Sequence, residues 1–167
     1  MNAKQMFSAL GLYVATGLLA AAGSAGPPWF VAQTAGARAL TLRGAAEFGP
    51  VVGTAGSGPF VLTLGAESPT GAVVFTWAGG DRPEPGVYTV KEEAAAGVRA
   101  LVVTGSPSRP TGAFRARAGT LTITRSTERL IAGRFEVEAE GFEAADPTVE
   151  NRTLVVQGAF NARPGMP

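Results

Sequence analysis

Cysteine and histidine are both absent from the 167 residues. Without cysteine no disulfide can form, so stability has to come from packing and from hydrogen bonding between strands. Without histidine the chain lacks the commonest general base, the usual proton shuttle and the commonest metal ligand. Serine–histidine and cysteine–histidine nucleophiles are thereby excluded, and so are ordinary zinc sites. Only carboxylates, Tyr, Lys and Arg remain for chemistry, and no catalytic motif is formed from them. The sequence therefore reads as a non-enzyme, with no catalytic residue, cofactor or metal ligand assigned. Excess charge is missing too. The 14 Lys and Arg include Lys4, so the chain beyond its first residues carries 13 cations against 13 anions. That balance argues against nucleic acid, which demands a basic excess.

What is present begins at the amino terminus. Lys4 supplies one early cation, and an uncharged apolar run follows from Met6 to Ala22. Small residues then crowd at Ala20-Ala21-Ala22-Gly23-Ser24-Ala25-Gly26. This order is that of an export signal with a peptidase site. The apolar run falls short of the roughly 20 residues that span a bilayer comfortably. Residues 1–26 are read as a cleaved signal peptide, with a retained membrane anchor as the alternative. Membrane contact is expected only in that second case. The address is periplasmic or extracellular. The Arg-, Ala- and Gly-rich composition suits a bacterial source.

Beyond the signal no stretch sustains helical periodicity over three turns. Short β-branched or aromatic runs recur instead, broken by Gly and Pro about every ten residues, which is an all-β pattern. Candidate strands are 38–48, 59–65, 71–78, 86–91, 97–104, 112–118, 119–126, 129–140 and 151–161. The expected fold is a single antiparallel β-sandwich of eight or nine strands over residues 37–162, with a small closed β-barrel as the alternative. Residues 27–36 are assigned to a linker and 163–167 to a tail. Phe114, Ala116 and Ala118 occupy even positions, whereas Leu121 and Ile123 are odd. The apolar parity flips near Gly119, so that glycine marks a bulge or a turn between two strands. Lys91-Glu92-Glu93-Ala94-Ala95-Ala96 is too short for a stable helix and reads as a single turn or loop.

Gly119-Thr-Leu-Thr-Ile-Thr-Arg-Ser, Arg129-Leu-Ile-Ala-Gly-Arg-Phe-Glu-Val-Glu-Ala and Leu154-Val-Val-Gln-Gly-Ala-Phe-Asn-Ala follow one another in the second half of the chain. With Pro85-Gly-Val-Tyr-Thr-Val ahead of them, they resemble a pattern of small exported bacterial β-domains, often lipoproteins, of uncharacterised families. The resemblance covers roughly residues 85–161 and implies an exported β-domain without assigned catalytic residues. No cysteine follows the signal, so a lipid anchor is not implied. Gly112-Ala-Phe, Gly133-Arg-Phe and Gly158-Ala-Phe also echo one another, which suggests strands that begin at a glycine and send an aromatic inward.

Four residues stand out as binding candidates. Glu136, Glu138 and Glu140 alternate with Phe135, Val137 and Ala139, which puts three carboxylates on one strand face about 7 Å apart. That spacing suits the paired carboxylates of a glycoside hydrolase, although a solvated face paired with arginines is the plainer expectation. Trp77 closes the run Val73-x-Phe75-x-Trp77 before Gly79-Gly80; it is expected in the core with its N–H on a backbone oxygen, or else as a ligand platform. Gly53-Thr-Ala-Gly-Ser-Gly58 lacks the lysine and helix of a phosphate loop. The acidic stretch 143–151 lacks the spacing of a calcium loop. Eight cations and three anions lie between Lys91 and Arg134, and six anions without a cation follow from Phe135 to Glu150, a split that would fix register between neighbouring strands. The functional expectation is a non-catalytic exported domain with a binding or structural role at the cell envelope, its partner an envelope protein or a glycan. A carbohydrate-binding module or carboxylate-only glycan hydrolase is the alternative. The export reading makes a direct prediction: the intact mass of the exported protein corresponds to a chain beginning near Ala25, and a mass retaining Met6–Ala22 would establish the anchor instead.

Overall fold

The computed structural model describes residues 27–53, 56–65, 67–93, 97–106, 108–144 and 152–165. Residues 1–26, which the sequence reading assigned to a signal peptide, residues 94–96 of the short candidate turn and residues 145–151 of the acidic connector lie outside them. Ten strands and no helix occur among the described residues. They are β1 (Trp29–Gly36), β2 (Thr41–Gly44), β3 (Ala46–Gly53), β4 (Gly56–Leu64), β5 (Gly71–Trp77), β6 (Gly86–Lys91), β7 (Val98–Ser106), β8 (Arg109–Thr127), β9 (Leu130–Glu143) and β10 (Arg152–Pro164). The chain is thus all-β, as its punctuated alternation predicts.

Ten strands replace the expected eight or nine, the expected strand 38–48 being two, β2 and β3, and two domain boundaries also differ from the sequence reading. Residues 29–36, expected as part of a linker, form β1 and pair along β10 from Trp29↔Asn161 to Gly36↔Leu154. Phe30, Ala32 and Thr34 point inward, and the short alternation Phe-x-Ala-x-Thr is too weak in apolar content to announce a strand by itself. The expected tail is also partly sheet, because Arg163 and Pro164 pair in parallel with Glu47 and Phe48 of β3.

All ten strands belong to one sheet. Pairing runs β3–β4–β5–β7–β8–β9–β10 and returns from β10 to β3. The inner faces meet across the middle as in a sandwich: Phe75 of β5 lies edge-on to Phe135 of β9, ring centroids 5.2 Å apart. Alternation explains why these segments are strands. On β5, Gly71, Val73, Phe75 and Trp77 are buried while Ala72, Val74 and Thr76 are partly exposed. Leu62, Leu64, Val102, Leu121, Ile131, Val137, Leu154 and Val156 complete a core with essentially no exposure.

The parity flip has a single cause. Strand β8 runs unbroken through residues 112–126, so Gly119 is not a turn between two strands. Opposite β9, Ala116 pairs with Ala139 and Ala118 with Glu138, which leaves Arg117 as the extra residue of a bulge. Arg117 and Ala118 are both exposed, and the buried series resumes at Leu121. The bulge sits where β8 changes partner. Its first half pairs with β7 as far as Leu101↔Arg115, and its second half pairs with β6 from Lys91↔Ala118.

The Gly-x-Phe echo also acquires a physical meaning. The phenylalanines do point inward, but the glycines lie within strands rather than at turns. Gly133 of β9 pairs with Phe160 of β10, Gly158 of β10 with Phe135 of β9, and Gly141 of β9 with Phe114 of β8. Each bare backbone thus accepts a ring from the neighbouring strand, an aromatic cover for a residue with nothing of its own to pack. A Cβ on Gly133 would collide with the Thr122 carbonyl oxygen and come within 3.0 Å of Phe160 Cζ. Accordingly, Gly133→Ala should lower stability by about 1–3 kcal/mol through overpacking, and Phe160→Ala by about 3–5 kcal/mol through the cavity left. Urea unfolding followed by circular dichroism measures both, and a Gly133→Ala variant as stable as the parent would show that the pairing tolerates a methyl group.

Candidate functional site

Strand β5 ends at Trp77, and the connector Ala78–Pro85 carries the chain to β6. The Phe60 amide donates to the Gly79 carbonyl at 2.9 Å, tying the start of the connector to β4. At its far end the Tyr88 hydroxyl donates to the backbone oxygen of Glu84 at 2.7 Å. Four rings line up beneath it. Phe48 stacks on Phe60 at 5.9 Å, Phe60 meets Trp77 edge-on at 5.7 Å, and Trp77 meets Tyr88 edge-on at 6.1 Å. Such pairs contribute about 0.5–1.5 kcal/mol each beyond their burial.

A cleft of about 730 Å³ opens over this row, between the connector, β6 and the start of β7. Trp77 and Tyr88 contribute the aromatic part of the lining, and Asp81, Arg82, Glu84 and Lys91 are among its charged groups. Val87, 71 % exposed, belongs to the same lining. Trp77 is 9 % exposed, so it is a floor and not a stacking platform. Its N–H does not find the backbone oxygen expected for a core indole: Nε1 is buried and has no hydrogen-bond partner among the described residues. A buried donor left unmade costs about 1–3 kcal/mol. The cleft follows from sheet topology. Strand β6 keeps β8 as its partner along its length but meets β7 only at Val90↔Val98.

Glu136, Glu138 and Glu140 lie elsewhere. They project from the outer face of β9, and none of them lines either of the two clefts described in this structure. Glu136 is flanked in register by Thr120 and Gln157, Glu138 by Ala118 and Val155. Only Glu140 of the three forms an ion pair among the described residues, with Arg117 Nη2 at 2.8 Å, while Arg117 Nη1 holds Glu92 at 2.6 Å. Arg152 and Glu143 pair across β9 and β10 at 3.2 Å. The two charge blocks of the sequence do meet on adjacent strands. No group of carboxylates able to hold a metal ion occurs among the described residues.

Sequence reasoning singled out Trp77 but not its companions. Tyr88, Asp81, Arg82 and Glu84 belong to a turn-rich stretch whose only advance signal was the density of Gly and Pro around it. Comparison with protein-family models, with curated proteins and with solved structures returns no match for this chain.

Tyr88 offers a handle on the cleft, because Tyr13 is the one other tyrosine of the sequence. Burial, together with the nearby Glu84 carboxylate, raises its pKa above the ordinary value of 10.0. The folded state therefore favours the neutral phenol more than the unfolded state does, so this contribution to stability is complete below pH 10 and is lost as pH rises through the folded-state pKa. Ultraviolet titration of a Tyr13→Phe variant should give a tyrosinate midpoint above that of the same chain unfolded in urea. Coincident midpoints would place the phenol in open water.

Proposed function

We propose that this chain is a non-catalytic domain, exported to the cell envelope, that works by contact, with the Trp77–Tyr88 cleft as its binding surface. The observation that carries this reading is the cleft's construction. Its volume falls in the range of ligand sites, about 300–1,000 Å³, and it combines an aromatic floor with a few polar groups that can orient a bound molecule. The missing histidine and cysteine support the absence of catalysis, and the resemblance to small exported bacterial domains supports the address. Charges of both signs around the rim favour a neutral polar ligand over an ion, so a glycan fits this surface better than a polyanion. The carbohydrate-binding alternative therefore rests on Trp77 and its cleft, without the three glutamates of β9. Neither of the two described clefts includes those glutamates, so they do not support a hydrolase reading.

The test uses Trp29→Phe, which leaves Trp77 as the sole indole. Titration with a panel of cell-wall oligosaccharides should shift or quench Trp77 emission. Tyr88→Ala should weaken that response by about tenfold, the loss of one good aromatic contact, without altering the circular dichroism spectrum. No reducing ends should appear on prolonged incubation. Silence across the panel at millimolar concentration would remove the glycan reading, and release of reducing ends would overturn the non-catalytic one.

A further inference from the structure

A second opening lies on the outer face of the sheet, where β7 and β8 part. Pairing between them stops at Leu101↔Arg115, and β6 takes up β8 only at Ala118. The fork leaves a cleft of about 340 Å³. Leu101, Val74 and Thr76 line it from the outer face, and Ala100 and Ala116 line it between residues whose side chains point outward, their own side chains lying on the buried face. Lys91, Arg99 and Arg115 all line it, and none of their three side chains has a hydrogen bond or ion pair with any described residue.

The register explains how these cations are gathered. Arg99 lies directly opposite Thr76 of β5, and Arg115 lies opposite Leu101, two residues further along β7. Arg99 and Arg115 are therefore diagonal neighbours on one face, about 7–8 Å apart at their backbones. That is within reach of two guanidinium groups converging on one ion. Lys91 enters from the end of β6. Like charges at this spacing repel one another, so the arrangement costs stability unless something compensates it.

The nearest carboxylates do not. Glu92 is the one acidic residue in the lining, and Glu140 lies directly opposite Arg115. Both are engaged by Arg117, at 2.6 Å and 2.8 Å respectively. The bulge is what allows this. The extra residue in β8 leaves Arg117 and Ala118 both exposed at the fork, and a bulge characteristically redirects a side chain in this way. Arg117 draws the two acids to itself, and the three remaining cations are left facing the cleft. Thr76 adds a hydroxyl to the lining.

We propose that the β7–β8 fork is an anion site that takes a phosphomonoester group, with Arg99 and Arg115 as its principal ligands, Lys91 and Thr76 as supporting donors, and Arg117 as a positioning residue that keeps Glu92 out of the way. Arginine suits this role because its planar fork of donors matches phosphate oxygens in pairs. The site is separate from the Trp77 cleft, which lies on the other side of β6 and shares only Lys91 with it. It stands or falls independently of the glycan reading.

The phosphomonoester can be free or the headgroup of a lipid, and the experiment distinguishes these. Isothermal titration of the exported protein with glycerol 3-phosphate at low salt reads the free form. Co-sedimentation with phosphatidylcholine vesicles, with and without phosphatidic acid, reads the lipid form. Binding in either arm is expected, weakening as salt screens it. Arg99→Gln and Arg115→Gln should each reduce affinity about tenfold, as expected for loss of one charge-assisted contact. Both side chains are exposed, so these variants should keep the parent's urea midpoint. Arg109→Gln, on the same strand but away from the fork, should bind as the parent does. Arg117→Gln should also weaken binding, because Glu92 is released toward the cleft, and adding Glu92→Gln should restore it. That rescue is a readout a merely structural Arg117 would not give. Absence of binding in both arms would overturn the proposal, as would equal losses in Arg99→Gln and Arg109→Gln, or an Arg117→Gln defect that Glu92→Gln does not relieve.

Discussion

The reciprocal pairing of glycine with phenylalanine across β8, β9 and β10 is the constraint on which the rest of the sheet depends. Gly133 meets Phe160, Gly158 meets Phe135, and Gly141 meets Phe114. At these three pairs the glycine leaves the space that the opposite ring fills, and two glycines would leave a void. A slip of one residue would break all three pairs and turn each inner face outward. These contacts therefore act as a register lock for the three longest strands. They also place Phe135 where it meets Phe75 on the opposite wall.

With that register set, each of the two flanking strands has more length than one outer partner can cover. Strand β10 pairs with β1 for most of its length and then with β3. Strand β8 pairs first with β7 and then with β6. A partner change opens a gap in the sheet, and both described clefts lie beside the change along β8. The Trp77 cleft follows from β6 remaining with β8 while β5 and β7 turn away. The fork cleft is the gap itself. The bulge at Arg117 stands at the same place, so one extra residue serves both the sheet's geometry and the distribution of charge around the opening.

The electrostatics follow from topology rather than composition. Overall charge is balanced beyond residue 26, yet the surface is not uniform. Arg117 pairs with Glu92 and Glu140, and Arg152 pairs with Glu143. The exposed Arg117 pairs add little stability, about 0.2–1 kcal/mol each, whereas the Arg152–Glu143 pair is part-buried. The consequence at the fork is that Arg117 takes up Glu92 and Glu140, while Lys91, Arg99 and Arg115 form no ion pair with a described residue.

Much of the fold was legible in the sequence. Strands β5 and β6 lie where their alternating side chains put them, because burial on one face of a pleated strand imposes a period of two. The parity change between Ala116 and Leu121 announced an irregularity, and the glutamates of β9 fall on the face their alternation assigned. The sequence by itself therefore determined the all-β class, the inward phenylalanines and the lack of the usual catalytic groups, since each is a property of residue type and local spacing. It did not reveal that 29–36 joins the sheet, that the extra residue is Arg117 and not Gly119, or that Trp77 lacks a partner for its N–H. Nor did it reveal that Arg99 and Arg115 stand on one opening. Only the tertiary structure decided these points, because they depend on which strands become neighbours. Pairing partners far apart in the chain are selected by the packing of the whole core, and no local pattern records that choice.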